Sequence, residues 1–481
     1  MSPDPHSASA DLGYASVGEV LDWLDSGEVT SELLLSTLHE RVSALEEEGP
    51  ALHAIAGLDE RALEDARRLD DERRRGERRG PLHGVPVLVK DNIEALGLPG
   101  LAGSTSLENR PSADSTLVRR LREAGALVWG STNLSEWANI RSSNSTSGWS
   151  ATGGLVANPW ALDRSAGGSS SGSGAAMAAG YGPLAIGTET DGSITCPASL
   201  NGVAGLKPTV GSVSRDGVVP ISHSQDSPGP LARDVDSLSR ALEVLLGRPR
   251  EVPERVRFSR ARTWSTGHPG TDALLERVLD DLGRDLDLLD TRPPVPHERV
   301  GEDELTVLLC ELHDDLSAYL AARPGEGPRS IAEVIRHEDA HAGRELVFFG
   351  HDLLERSLAT GGRAHPDYAG ARERNLAWAR ETLESALGEG DVALSGAYAP
   401  AWKSDLVNGD HPAGVSPAIQ AAAIAGWPIL SLPAGLVGEL PVGLTLVARA
   451  GEEWALLEAA RHLERLVAPV GRPTWTVPGR G

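Results

Sequence analysis

Two stretches decide the architecture: Leu82-His-Gly-Val-Pro-Val-Leu-Val-Lys90, and Ser115-Thr-Leu-Val-Arg-Arg-Leu-Arg-Glu-Ala-Gly-Ala-Leu-Val-Trp-Gly130. In the first, Val85, Val87 and Val89 alternate with small or apolar residues and lead into Lys90, the period-two pattern of a buried strand. In the second, Ser115 opens a helical run to Ala124, Gly125 stops it, and Ala126–Gly130 returns to strand. Helix alternating with strand predicts an α/β architecture. Upstream, Ser16 caps an apolar-periodic run (Val17, Val20, Leu21, Leu24) that stops at Gly27, and Ser31 opens a second reaching about Leu45. Asp59 begins a third, with Leu63, Ala66 and Leu69 on one face. It runs into Arg73-Arg-Arg-Gly-Glu-Arg-Arg79, which reads as a solvated helix end, because acidic neighbours interleave it and positive charge suits a helix C-terminus.

Downstream, apolar runs at Leu184–Ile186, Val392–Leu394, Ile429–Leu432 and Val442–Val447 predict further strands, on both sides of a mostly helical section at about 300–390. Strands so far apart predict one sheet completed late, and hence a single domain over 1–481. The 481 residues carry 45 Lys or Arg against 69 Asp or Glu, a net charge of −24. That argues against a nucleic-acid clamp, which needs a dense cationic surface. Cys196 and Cys310 cannot form a disulfide framework, and a reducing compartment is the default. The first twenty residues lack a basic start followed by an apolar run, and no uncharged stretch of about 18 apolar residues occurs. The expectation is a cytoplasmic protein without a membrane segment; a signal peptide removed beforehand would leave secretion open.

The densest small-residue segment is Gly167-Gly-Ser-Ser-Ser-Gly-Ser-Gly174, read as a loop with four hydroxyls running into an Ala-rich helix. A phosphate loop would require Lys after the final Gly, where Ala175 stands, and the glycine spacing does not fit a dinucleotide fingerprint. A second turn follows at Gly187-Thr-Glu-Thr-Asp-Gly-Ser193, between a strand and a helix starting near Pro197. Such an elbow aims backbone N–H groups at one point, as a tetrahedral oxyanion requires, and makes Ser193 a candidate nucleophile. Lys90 ends a strand of apolar residues, and burial there would lower its pKa enough to make it a base. The alternative is a core lysine paired with Asp91 or another carboxylate.

Lys90, the Gly-Gly-Ser-Ser turn and Ser193 together resemble the amidase signature family. The matching text is Gly84-Val-Pro-Val-Leu-Val-Lys-Asp-Asn92, Ala166-Gly-Gly-Ser-Ser170, Gly187-Thr-Glu-Thr-Asp-Gly-Ser-Ile194, Gly205-Leu-Lys-Pro-Thr209, Ser227-Pro-Gly-Pro-Leu-Ala-Arg233 and Gly426-Trp-Pro-Ile-Leu-Ser-Leu-Pro-Ala-Gly435. The resemblance covers nearly the whole chain. It implies one large α/β fold, a mixed sheet covered by helices on both faces. It also implies a metal-free, cofactor-free Ser, cis-Ser, Lys triad: Ser193 as nucleophile, Ser169 after a cis peptide bond, and Lys90 as base. The N–H groups of Thr190, Asp191, Gly192 and Ser193 would form the oxyanion hole.

Many members carry Arg two residues after the nucleophile, able to hold an acidic substrate, whereas Thr195 and Cys196 follow Ile194 here. On that text the subunits working on glutamyl-tRNA are a poor match, and Asn133–Ser143, Ser147–Ser150 and Thr188–Ser199 resemble peptide amidases most. The implied partner is a small-molecule or short peptide amide, with ammonia released from a C-terminal carboxamide; aryl amides, fatty amides and carbamates are the alternatives. Trp137 and Ser143 are candidate pocket residues, a core Trp and a structural Ser being the competing reading. A remote rival is His337-Glu-Asp-Ala-His341, which satisfies the zinc pattern H-E-x-x-H, with Glu345 or His351 as an improvised third ligand.

Overall fold

The structure, a computed structural model, describes residues 12–108 and 113–476. Strand β1 (Ile55–Leu58) is followed by β2 (Pro86–Lys90) and β3 (Leu127–Thr132). Two short ribbons come next, β4 (Trp149–Ser150) with β5 (Gly154–Leu155), and β6 (Ala157–Asn158) with β7 (Ala161–Ser165). Then come β8 (Leu184–Glu189), β9 (Ala204–Lys207), β10 (Ser227–Ala232), β11 (Phe258–Ala261), β12 (Leu288–Thr291), β13 (Val392–Gly396), β14 (Ile429–Val437) and β15 (Leu440–Ala448). Eleven of them form one sheet in the order β1-β3-β2-β8-β10-β9-β14-β15-β13-β11-β12. It is the expected mixed sheet: β2 runs parallel to β3 and β8, β10 antiparallel to β8 and β9, and β13 antiparallel to β15 but parallel to β11.

All five residues of β2 are buried. Successive side chains of a strand point to opposite faces, so both faces of the sheet are covered here. The late strands β14 and β15 insert between β9 and β13, which joins the two ends of the chain in one sheet. The helical section observed between Val300 and Leu387 consists of Val300–Ala322, Ile331–Ala340, Ala342–Glu345, Asp352–Thr360 and Tyr368–Leu387. It builds a separate apolar cluster with Leu107, Trp137 and Ile140.

Several boundaries differ from expectation. Thr30, not Ser31, caps the second helix, its side chain accepting from the Leu33 N–H, and the helix Ser31–Ser43 widens into a π-turn at Ala44–Glu48. The third helix is Ala62–Arg74, because the Asp59 carboxylate instead closes a turn on the Arg61 N–H. The arginines after it pair with Glu72, Glu77 and Asp25, as a solvated helix end would. Strand β3 runs on to Thr132, since Ser131 and Thr132 still face Val89 and Lys90. Strands β1, β11 and β12 lie in segments without a clear period.

Of the four hydroxyls assigned to a loop, Ser171 and Ser173 lie inside the helix Ser171–Ala179, which is buried throughout. Its glycines allow close approach: a Cβ on Gly172 would collide with the backbone oxygens of Ala54 and Asn133. No described helix is long and apolar enough to cross a membrane.

Candidate active site

Ligands in parallel sheets gather at the C-terminal ends of strands, and here β2 and β8 end side by side, carrying Lys90 and Thr188-Glu189. Lys90 is fully buried. Its Nζ donates to Ser169 Oγ at 2.8 Å, Thr188 Oγ1 at 2.8 Å and the Thr188 carbonyl at 3.3 Å. Desolvation lowers its pKa to about 7, against the opposing pull of Asp226 and Glu189. An amine poised there is available both as base and, once protonated, as acid.

Asp91 is not the partner of Lys90. One residue on, the chain turns the carboxylate toward the N–H groups of Gly100, Leu101 and Gly103 and the Ser131 hydroxyl. Burial nevertheless pushes the Asp91 pKa up to about 6, those hydrogen bonds opposing it.

Ser169 follows a cis peptide bond at Gly168. The next residue, Ser170, donates its N–H to the Ser193 carbonyl at 3.0 Å and its hydroxyl to the Thr188 carbonyl at 3.1 Å, so the serine turn is tied to the elbow. Ser193 is 8% exposed. Gly192 precedes it at φ 79°, where a Cβ would run into the Tyr398 hydroxyl. Among the described residues, none accepts a hydrogen bond from the N–H groups of Thr190, Asp191, Gly192 or Ser193. The Ser169 and Ser193 hydroxyls share no hydrogen bond in the free structure.

Two groups near the elbow have roles that the sequence reading does not assign. Glu189 Oε2 accepts from the N–H groups of Ile194 (2.7 Å) and Thr195 (2.8 Å) and from Thr195 Oγ1 (3.1 Å). This carboxylate therefore caps the short helix Thr195–Asn201 and holds Ser193 at its entrance. Thr188 bridges Lys90 and Asn92, whose Nδ2 donates to Thr188 Oγ1 at 3.0 Å. The motif text marked both positions, but a bond spanning nearly a hundred residues has no local signature.

Trp137 is buried in the helical-section cluster and donates its Nε1–H to Glu338 at 3.0 Å. Ser143 lies on an exposed turn, with its N–H on Asp352 at 3.0 Å. Neither lines the cavity next to Lys90, whereas Ala138 does. In the H-E-x-x-H stretch the helix ends at Ala340, and the His337 and His341 rings stack face to face at 4.1 Å. His337 Nε2 lies 3.0 Å from Thr105 Oγ1, and Glu338 is buried between Trp137 and His351. Of the third ligands considered for that site, Glu345 accepts from the Thr105 N–H, and His351 bonds Glu338 of the motif itself. Both cysteines are buried and free.

A family model described as Amidase matches residues 34–457. A putative amidase of Schizosaccharomyces pombe is 31% identical, over 98% of this chain and 88% of that protein. One component of the glutamyl-tRNA(Gln) amidotransferase of Carboxydothermus hydrogenoformans is also 31% identical, over 95% of this chain and 98% of its own length. Overall similarity thus puts these two relatives at the same distance. Among solved structures, native peptide amidase from Stenotrophomonas maltophilia is 39% identical with a TM-score of 0.88, covering 96% of this chain and 99% of that one. The peptide amidase PAM with the competitive inhibitor chymostatin is 40% identical with a TM-score of 0.88, covering 95% and 99%.

Proposed function

The chain belongs to the amidase family and hydrolyses amides, and from that premise we propose that Ser193, Ser169 and Lys90 release ammonia from the C-terminal carboxamide of peptides or N-acylated amino acids. The observation that carries the reading is the buried, low-pKa Lys90 amine bonded to the Ser169 hydroxyl. Serine is a weak nucleophile until a base takes its proton. As Ser193 Oγ attacks the carbonyl carbon, its proton passes to Ser169 Oγ while that of Ser169 passes to Lys90 Nζ. The oxyanion faces the free N–H groups of the Thr190–Ser193 turn. In the reverse relay Lys90 and Ser169 protonate the leaving nitrogen, the C–N bond breaks and ammonia departs. Water then attacks the acyl-enzyme by the same route, leaving a carboxylic acid and the free enzyme. The Ser169–Ser193 hydrogen bond forms once substrate occupies the site, as catalytic hydrogen bonds commonly tighten in the bound complex.

The substrate class rests on the 39–40% identity to proteins described as peptide amidases. It also rests on Thr195, whose hydroxyl bonds Glu189, so no fixed cation is offered there for an acidic substrate. The whole chain acts as one catalytic unit in this reading, needing no resident metal, cofactor, nucleic acid or membrane. Intact-mass and peptide mapping after treatment with a fluorophosphonate should place one adduct on Ser193, and a C-terminal peptide amide should yield acid plus ammonia. Labelling elsewhere, or full activity in Ser193→Ala, excludes the triad. A preference of more than tenfold for an anilide or carbamate over a dipeptide amide excludes the substrate class alone.

A further inference from the structure

A cavity of about 370 Å³ opens beyond the Lys90–Thr188 hydrogen bond. Thr188 and Thr190 form its inner wall, so it begins one hydrogen bond from the Lys90 amine. Thr190 is three residues before Ser193, which places that wall at most about 11 Å from the Ser193 Cα. Most of the remaining lining is apolar, including Val219 and Ile221 from one loop and Ala318 from the helix Val300–Ala322. At the inner end the polar side chains are committed to one another. Thr190 Oγ1 donates to Asp226 at 2.6 Å, the other Asp226 oxygen takes the N–H groups of Ile221 and Ser222, and the Tyr319 hydroxyl donates to Glu94 at 2.7 Å. Asn92 and Ser227 are the exceptions: both line the cavity and are buried, Ser227 Oγ has no partner, and Asn92, 2% exposed, uses its Nδ2 on Thr188 and leaves its Oδ1 without one. A buried carbonyl oxygen without a donor is a rare arrangement in a folded protein.

We propose that this cavity is the subsite for the acyl side of the amide, and that it takes a bulky apolar group carrying one N–H, which donates to Asn92 Oδ1. An amino-acid residue with a large apolar side chain and an acylated nitrogen has that chemistry: the side chain fills the apolar lining and the N–H meets the amide oxygen of Asn92, which can only accept. A substrate without the N–H would leave the acceptor unpaired in the complex as well, and sites built to bond a particular group discriminate strongly against analogues lacking it. The inference rests on Ser193 being the nucleophile, since only then does the acyl group lie on the Thr188–Thr190 side.

The test needs three amides: N-acetyl-alaninamide, N-acetyl-phenylalaninamide, and the phenylalanine analogue in which an ester oxygen replaces the acylated N–H. With the wild-type enzyme, kcat/KM should be at least tenfold higher for the phenylalanine amide than for either of the others. Ala318→Trp, which fills the cavity from the helix, should bring the phenylalanine-to-alanine ratio towards one, and Asn92→Ala should do the same to the N–H-to-oxygen ratio. Equal wild-type rates across either pair overturn the proposal without any variant having to fold. Ratios unchanged in folded Ala318→Trp and Asn92→Ala also overturn it. If none of the three amides releases ammonia and Ser193 takes no fluorophosphonate, the reading beneath it fails instead.

Discussion

Replacing Lys90 by Met should abolish turnover and, at neutral pH, make the protein more stable. Burial lowers the Lys90 pKa from 10.5 to about 7, and every tenfold change in acidity corresponds to about 1.4 kcal/mol. Between pH 7 and 10.5 the unfolded chain binds this proton and the folded chain does not, so the wild type gains stability as pH rises across that window. The cost of burying the amine is then about 5 kcal/mol below pH 7 and about 2 kcal/mol at pH 9. Methionine has no proton to lose and no such slope. It leaves the Ser169 and Thr188 hydroxyls short of one partner each, about 1 kcal/mol apiece and independent of pH. Lys90→Met should therefore exceed the wild type by about 2–3 kcal/mol at pH 7 and about match it at pH 9. Equilibrium denaturation of both proteins at the two pH values, with activity measured alongside, gives the comparison. A stability gap that stays constant or widens as the pH is raised would falsify the assignment of a depressed pKa to Lys90.

Three further outcomes are expected. Wild-type kcat/KM should rise with pH through about 7 as Lys90 loses its proton, and Lys90→Arg should be inactive at every pH because guanidinium stays protonated; near-wild-type turnover in that variant removes Lys90 as base. Gly192→Ala should fold less stably by about 1–2 kcal/mol, because φ is 79° there, and should lose most of its activity as the methyl group meets the Tyr398 hydroxyl; unchanged kcat would show that the elbow tolerates the shift. Activity should survive exhaustive chelation and the substitution His337→Ala, and a loss that added zinc restores would bring back the two-histidine reading.

Local patterns identify the elements that position the candidate triad. The alternation through Val89 locates β2, and the small residues around Gly192 mark a turn. What remains hidden is carried by contacts that exist only once the chain has folded, some local and some distant in sequence. Glu189 is an ordinary acid until the turn brings its carboxylate back onto the N–H groups of Ile194 and Thr195. Lys90 and Asp91 read as an adjacent pair, but neighbouring residues of an extended chain point to opposite sides, and only the pairing with β8 shows which side holds Ser169 and Thr188. The glycines of 167–174 suggest a flexible loop; Gly172 is explained by backbone, and Gly174 by Asn201 and Pro197, that approach too closely for a side chain, which no composition reveals. Trp137 carries a plausible pocket assignment because an aromatic residue near motif text reads the same whether it faces solvent or Glu338.

Besides the loop that supplies Val219 and Ile221, the cavity beyond Thr188 has two walls of unlike origin. The inner wall belongs to β8 and the turn that follows it, and any change there disturbs the Lys90 amine or the elbow. The facing wall belongs to one side of the helix Val300–Ala322, which contributes Asp315, Ala318, Tyr319 and Ala322, none bonded to Lys90, Ser169 or Ser193. Exchanging residues on that side alters the shape and polarity presented to an acyl group while the proton-transfer groups stay where they are. Bond cleavage and choice of substrate are thus open to change by separate substitutions, and the helix is where directed evolution toward a different amide has most freedom.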